Sequence, residues 1–314
     1  MNNLTKLSTI IAVLIAISGC VVIVADDSVA EGAISVVDGD DGGSSANDSI
    51  DDGFYFEVNG EQYQTLQGAV NSVSKTGEIK VLKDFDMNTS DIVEIPKAKI
   101  IILDMNGKTA TASSDFSGRY IINNGILTIT GDGTFEDAES ADYRGPVTNN
   151  GTLTIENGAF HGNIKNTFAH IWNSEGATAT FNGGFYEGAV TMINGYIGSK
   201  TYINGGTYIN PWYPAIDNSG HMEIRGGEFV NTSCSVCNEP RDNKEKPWGY
   251  TIRSGSHSSD AYLLIDEAEG SSISVTGVQG GVSIIDGSAD INSGSFKTVF
   301  CMNEKHTGDQ TSSY

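Results

Sequence analysis

From about residue 121 onward, apolar and polar positions alternate in short runs. Leu127-Thr128-Ile129 and Leu153-Thr154-Ile155 have the period of two that sends successive side chains to opposite faces of a strand. Each run opens on a glycine and, beyond a polar turn, closes on an aromatic residue: Gly125 to Phe135, Gly151 to Phe160, Gly176 to Phe185, Gly198 to Tyr208 and Gly220 to Phe229. The glycines step by 26, 25, 22 and 22 residues, the aromatics by 25, 25, 23 and 21. From Phe229 to Phe296 is 67 residues, close to three further steps. A unit this short cannot bury its own apolar face. Units must therefore stack about 4.8 Å apart, Ile over Ile and aromatic over aromatic. A leucine-rich repeat would need a leucine scaffold and a helical segment, whereas these units are rich in Thr, Ile and Gly. Turn asparagines recur in Asn123-Asn124-Gly125, Asn149-Asn150-Gly151 and Asn218-Ser219-Gly220. Asn tolerates left-handed turns and forms side-chain ladders between stacked coils. The pattern predicts an all-β chain, a single-stranded parallel β-helix solenoid.

Upstream, residues 53–120 read as an N-terminal cap and the first coils. Phe54 to Val58 is strand-like and ends in a turn at Asn59-Gly60. Thr65 can cap a short helix in which Leu66, Ala69, Val70 and Val73 fall at i, i+3, i+4 and i+7. Ile79 to Leu82, Ile92 to Ile95 and Ile100 to Leu103 are further short strands. Residues 121–314 carry the repeats, with an inserted loop at about 231–260 where Pro240, Pro247 and clustered charges break the alternation.

The first 30 residues set the compartment. Lys6 precedes an apolar run from Leu7 to Ala25, followed by Asp26 and Asp27, which reads as an export signal or membrane anchor. Cleavage after Ala30, an uncleaved anchor, and lipidation of Cys20 within Ile17-Ser18-Gly19-Cys20 are the three fates; all place the body outside the cytoplasm, at the cell surface or beyond. Residues 31–52 are an acidic, Gly- and Ser-rich tether. The 314 residues hold 18 Lys and Arg against 40 Asp and Glu, a net charge of −22. That charge repels nucleic acid and anionic head groups, so no nucleic-acid partner is expected and membrane contact is expected only through the N-terminal segment.

Residues 53–300 resemble a right-handed parallel β-helix of the pectate-lyase-like superfamily, and more closely the repeat-bearing, adhesin-like surface proteins of microbes. The resemblance rests on the opening Tyr63-Gln-Thr-Leu-Gln-Gly-Ala-Val-Asn, the strand Ile79-Lys-Val-Leu-Lys-Asp84, Leu103-Asp-Met-Asn-Gly107 and the coils themselves. It implies that the short helix closes the N-terminal end of the coil. It also implies a choice between passive binding and action on polysaccharides, as a lyase with Ca²⁺-binding carboxylates and an Arg base or a hydrolase with paired carboxylates. The Asn-Thr-Asp, Asp-Asp and Gly-His-Gly hallmarks of galacturonases are absent, since Gly220-His221 is followed by Met222. Arg119, Arg144, Arg225 and Arg253 are bases only in the sense that any Arg is, and Asp217 with Glu239 is one period apart without a motif around it. Three or more carboxylates with an Arg on one face of neighbouring coils would mark catalysis. No dedicated cofactor or metal site is expected; Ca²⁺ is the cofactor the resemblance admits.

The inserted loop carries Cys234-Ser-Val-Cys237, and Cys301 lies 64 residues beyond Cys237. In an exported chain a disulfide among these three outweighs a Zn²⁺ site completed by His257 or His306. Aromatic side chains are dense from Tyr196 to Tyr250. Trp212, Tyr213, Trp248 and Tyr250 are the ligand-binding candidates, because aromatic planes beside Asn, Asp and Glu stack sugar rings. The expected partners are glycans or a host or neighbouring cell surface, with a homo-oligomer as a further option. The expected function is an adhesin-like, non-catalytic β-helix; the alternative is a polysaccharide lyase or glycoside hydrolase, and a phage-tailspike-like receptor binder ranks behind both.

Overall fold

A computed structural model describes residues 53–137, 142–163, 167–210, 213–232, 249–297 and 299–301. The chain winds as a parallel β-solenoid in which successive coils add strands to three long sheets of eleven, nine and nine strands. The first sheet begins with an antiparallel hairpin, Phe56–Val58 and Glu61–Tyr63, whose turn places Asn59 at φ 53° and Gly60 at φ 84°. Thr76–Val81 still pairs antiparallel with Phe56–Val58 on one side, and from its other side onward every pairing among the described residues is parallel.

The register follows the apolar pattern. In the first sheet Leu103, Ile129, Ile155, Phe181, Ile203, Ile224 and Ile265 pair in succession. In the third sheet Val93, Ile121, Val147, Ile171, Ile193, Ile216, Ile252 and Val282 do the same. Both rows face inward and are buried. A slip of one residue would turn either row into solvent, which is why the register is so strongly specified.

The second sheet contributes an aromatic column. Phe135, Phe160, Tyr186, Tyr208 and Phe229 stack with centroids 5.2, 4.8, 4.7 and 4.8 Å apart and planes within 12° of parallel. Here the structure corrects the sequence reading by one residue: Tyr186, not Phe185, enters the column, and Phe185 pairs with Ala159 and Thr207 on the outward side. In the neighbouring coils five residues separate the last inward aliphatic from the aromatic, as in Ile155 to Phe160 and Ile203 to Tyr208. The same turn length counted from Phe181 ends on Tyr186. The column continues from Phe229 to Val275 and then Phe296, so two coils span the 67 residues rather than three, the first lengthened by the insertion.

The expected asparagine ladder is present inside the coil. Asn123 Nδ2 donates to Asn149 Oδ1 and Asn149 Nδ2 to Asn173 Oδ1, both at 2.8 Å and fully buried. Gly195 occupies the next rung, and Asn218 resumes the series by donating to Ser254 Oγ at 2.9 Å. Outside, shorter ladders end on carboxylates: Asn150 to Asn124 to Glu94, and Asn204 to Asn182 to Glu156.

The single α-helix among the described residues, Leu66–Ser72, forms where the pattern predicts it. Thr65 Oγ1 accepts the Gly68 N–H at 3.1 Å, and Leu66, Ala69, Val70 and Val73 are buried. Lys99 Nζ donates to the carbonyls of Val70, Asn71 and Val73, satisfying acceptors that the end of a helix leaves open.

Candidate functional site

With the interior filled by packed side chains, chemistry is confined to the outward rows. On the third sheet the alternate row runs Ile122, Thr148, Trp172, Asn194, Asp217, Arg253 and Ser283 in register, with Asn194, Asp217 and Ser283 buried. Trp172 faces outward because its neighbours in the strand Ala169–Asn173, Ile171 and Asn173, face in. Phe168 leads into the same strand and is 44% exposed. Tyr196 lies on the turn after Thr191–Gly195, its N–H donating to the Asn173 carbonyl and its carbonyl accepting the Ser199 N–H. The Trp172 ring is 5.6 Å from that of Phe168 and 5.3 Å from that of Tyr196. Behind it the Arg119 guanidinium lies 5.8 Å from the indole and donates to the Ala169 carbonyl at 2.7 Å, bracing the ring by a cation–π contact. The result is a strip of three rings crossing two adjacent coils.

Further along the row, Arg253 and Asp217 form a bidentate ion pair, with Nε to Oδ1 at 3.1 Å, and Ser256 Oγ adds a hydrogen bond to Asp217 at 2.8 Å. Asp217 is only 4% exposed. A carboxylate with its lone pairs so committed is an anchor rather than a reagent.

The outward face of the first sheet holds the combination that would mark catalysis, three carboxylates and an arginine on neighbouring coils. Arg225 bridges Glu223 at 3.0 Å and Asp266 at 2.8 Å, His221 Nε2 meets Glu223 at 3.0 Å, and Tyr262 donates to Asp290 at 2.9 Å. The His221 and Tyr262 rings lie 5.0 Å apart. The pairing argues against Glu223 as a general acid and against Arg225 as a base. Glu223 is held below the usual carboxylate range by its hydrogen bonds with His221 and Arg225, outweighing partial desolvation, so it carries no proton to donate at neutral pH. Arg225 is pushed up chiefly by its hydrogen bond with Glu223, so it stays a cation and cannot act as a base. Among the described residues no three His, Cys, Asp or Glu side chains converge where a metal ion could sit.

Of the residues singled out from sequence, Tyr213 lies on the turn before Ile216–Asn218, where its N–H meets Asn210 Oδ1 and its carbonyl accepts from Asn231 Nδ2. Tyr250 opens the strand Tyr250–Ser254 on the next coil of the same sheet, and partial burial raises its hydroxyl pKa. Cys301 ends the strand Val299–Cys301, opposite Ile284. Cys20, Trp212, Cys234, Cys237, Glu239, Trp248 and His306 lie outside the described residues, as do the export segment and the tether. Sequence reading passed over Phe168 and Trp172. The available signal was Trp172 at the polar phase of Ala169-His-Ile-Trp-Asn, where the preceding coil has Thr148.

No family model matches the chain, and no curated protein or solved structure matches it.

Proposed function

We propose that the protein is an exported, surface-tethered β-helix that binds without catalysing, an adhesin-like element contacting glycans on a host or neighbouring cell. The observation that carries this reading is the strip of Phe168, Trp172 and Tyr196, three outward rings braced by Arg119 on a rigid scaffold. Ring stacking tolerates many sugars. Each contact is weak, and affinity would come from many molecules displayed on one surface. The apolar N-terminal run and the acidic tether support a surface location, and the resemblance of the coils to pectate-lyase-like and adhesin-like repeats supports a right-handed winding with the helix at its N-terminal end.

The second reading, a polysaccharide lyase or hydrolase, is favoured by Glu223, Asp266, Asp290 and Arg225 on one face. The engagement of Glu223 and Asp266 with Arg225, and of Asp290 with the Tyr262 hydroxyl, weighs against it. The test of the strip is retention of the full chain on immobilised acidic and neutral polysaccharides. Trp172→Ala is expected to cut retention at least about tenfold, the loss of roughly 1.4 kcal/mol or more of stacking. Unchanged retention by this variant would remove the strip from the binding surface.

A further inference from the structure

Three asparagines among the described residues open the triplet Asn-x-Ser/Thr, the acceptor pattern for N-linked sugar: Asn88, Asn150 and Asn231. The fold treats them differently. Asn231 is 4% exposed and its Nδ2 donates to the Tyr213 carbonyl at 2.8 Å, so the nitrogen that would carry a sugar is shut inside the coil. Asn88 is half-buried, with Nδ2 at 3.4 Å from both the Asp86 carbonyl and an Asp91 carboxylate oxygen. The Ser90 hydroxyl of its triplet donates to Asp91 at 3.2 Å, so the protein engages both polar ends.

Asn150 differs on every count. It is exposed on the bend between the strands Val147–Asn149 and Thr152–Ile155. One amide hydrogen goes to Asn124 Oδ1 at 2.9 Å, and the other has no acceptor among the described residues. Thr152 is exposed as well, and its hydroxyl has no partner among them. Between the two, a Cβ on Gly151 would stand 2.1 Å from the Gly125 carbonyl oxygen, so the bend is tight and no side chain shields either group. Backbone bonds hold it, from the Asn150 N–H to the Asn123 carbonyl at 2.8 Å and from the Thr152 N–H to the Gly125 carbonyl at 2.9 Å. The same bend one coil earlier, Asn124-Gly125-Ile126, has the asparagine without the hydroxyl.

We propose that Asn150 is an N-glycosylation site, the acceptor of an oligosaccharide carried on a lipid diphosphate. In the transfer Nδ2 attacks the anomeric carbon of the sugar. The new C–N bond forms as the bond from that carbon to the phosphate oxygen breaks; the lipid diphosphate leaves, and Nδ2 gives up one proton. The remaining amide hydrogen keeps the bond to Asn124. The assignment rests on the export proposed above, because the transfer takes place on chains that have left the cytoplasm. It places the sugar beside the aromatic strip, since Thr148, two residues before Asn150, pairs with Trp172 on the next coil.

Mass spectrometry of the protein from the cells that make it, recovered separately from the surface and cytoplasmic fractions, is the direct test. The peptide containing Asn150 is expected to carry glycan mass and the peptide containing Asn231 to be bare. In a second arm the purified, folded full chain meets a lipid-diphosphate-linked oligosaccharide and a transferase that reads only the triplet. Transfer to Asn150 is expected, lost in Asn150→Gln and Thr152→Val and kept in Thr152→Ser, with all three variants melting at the wild-type temperature. A bare Asn150 on surface protein, no transfer to the folded chain, or modification of Asn231 in its place would each overturn the assignment. Protein found only in the cytoplasm with Asn150 bare would overturn it too. Successful transfer in the second arm would then locate the failure in the export reading, and failed transfer would locate it in the site.

Discussion

Asn149 shows how much one buried polar side chain holds in a solenoid. Its Oδ1 accepts from Asn123 and from the Gly151 N–H, and its Nδ2 donates to Asn173 and to the Thr178 carbonyl. Asn149→Ala strands partners on both neighbouring coils at about 1–3 kcal/mol each before relaxation. The expected loss is about 3 kcal/mol, read from the denaturant midpoint, whereas Asn150→Ala on the exposed ladder should stay within about 0.5 kcal/mol. His170 makes a pH-dependent counterpart. Fully buried, it hydrogen-bonds the Glu187 carbonyl through Nε2 while Nδ1 has no partner, and burial pushes its pKa down to about 4 from 6.5. Because the folded state prefers the neutral ring, this stability is fully present above pH 6.5 and is lost as pH falls toward 4. The loss is on the order of 3 kcal/mol. Replacing it in His170→Gln should flatten that segment of the stability–pH curve; an unchanged slope would show that other groups set it. At this scale legibility was uneven. Turn asparagines announced their ladder because identical residues recur at the coil period, but nothing local in the sequence distinguishes a histidine buried at position 170 from an exposed one.

Among the elements, the stacked aromatic column and the helix were readable because each rests on a spacing rule. The helix needed only the i, i+3, i+4, i+7 stripe and the Thr65 cap, both of which the structure reproduces. The column misled at Phe185, where two adjacent aromatics compete and only the turn length selects Tyr186. Phe160 sits at the centre of this packing, 0% exposed between Phe135 and Tyr186. Phe160→Ala is therefore expected to cost about 3–5 kcal/mol, since close-stacked parallel rings cannot collapse into the gap. Chemical denaturation would show it, and a loss below about 1 kcal/mol would mean that the column is not a principal source of stability. The outward rows were less legible. An inward residue is constrained by stacking on its own kind, whereas Trp172 meets Tyr196, and Arg225 meets Asp266, only through the alignment of neighbouring coils, which a sequence without coil boundaries does not display.

For the solenoid as a whole, in-register parallel coils fill the interior of the described residues with packed side chains. The side faces are therefore where the proposed binding would take place. Period and alternation made this architecture readable from sequence, while the extra residues between Phe229 and Val275 concealed the coil count by lengthening one step. The two side-face clusters divide the functional question between them: an aromatic strip suited to stacking, and an ionic face that has the composition of a catalytic site but whose Glu223 and Asp266 are both engaged by Arg225. The most direct measurement is incubation of the full chain, with and without Ca²⁺, with a broad panel of acidic and neutral polysaccharides, following unsaturated products and new reducing ends. The account predicts that bound polysaccharide is recovered intact under both conditions. Shortening of any one substrate, abolished by Glu223→Gln or Arg225→Ala, would contradict it and make the ionic face an active site.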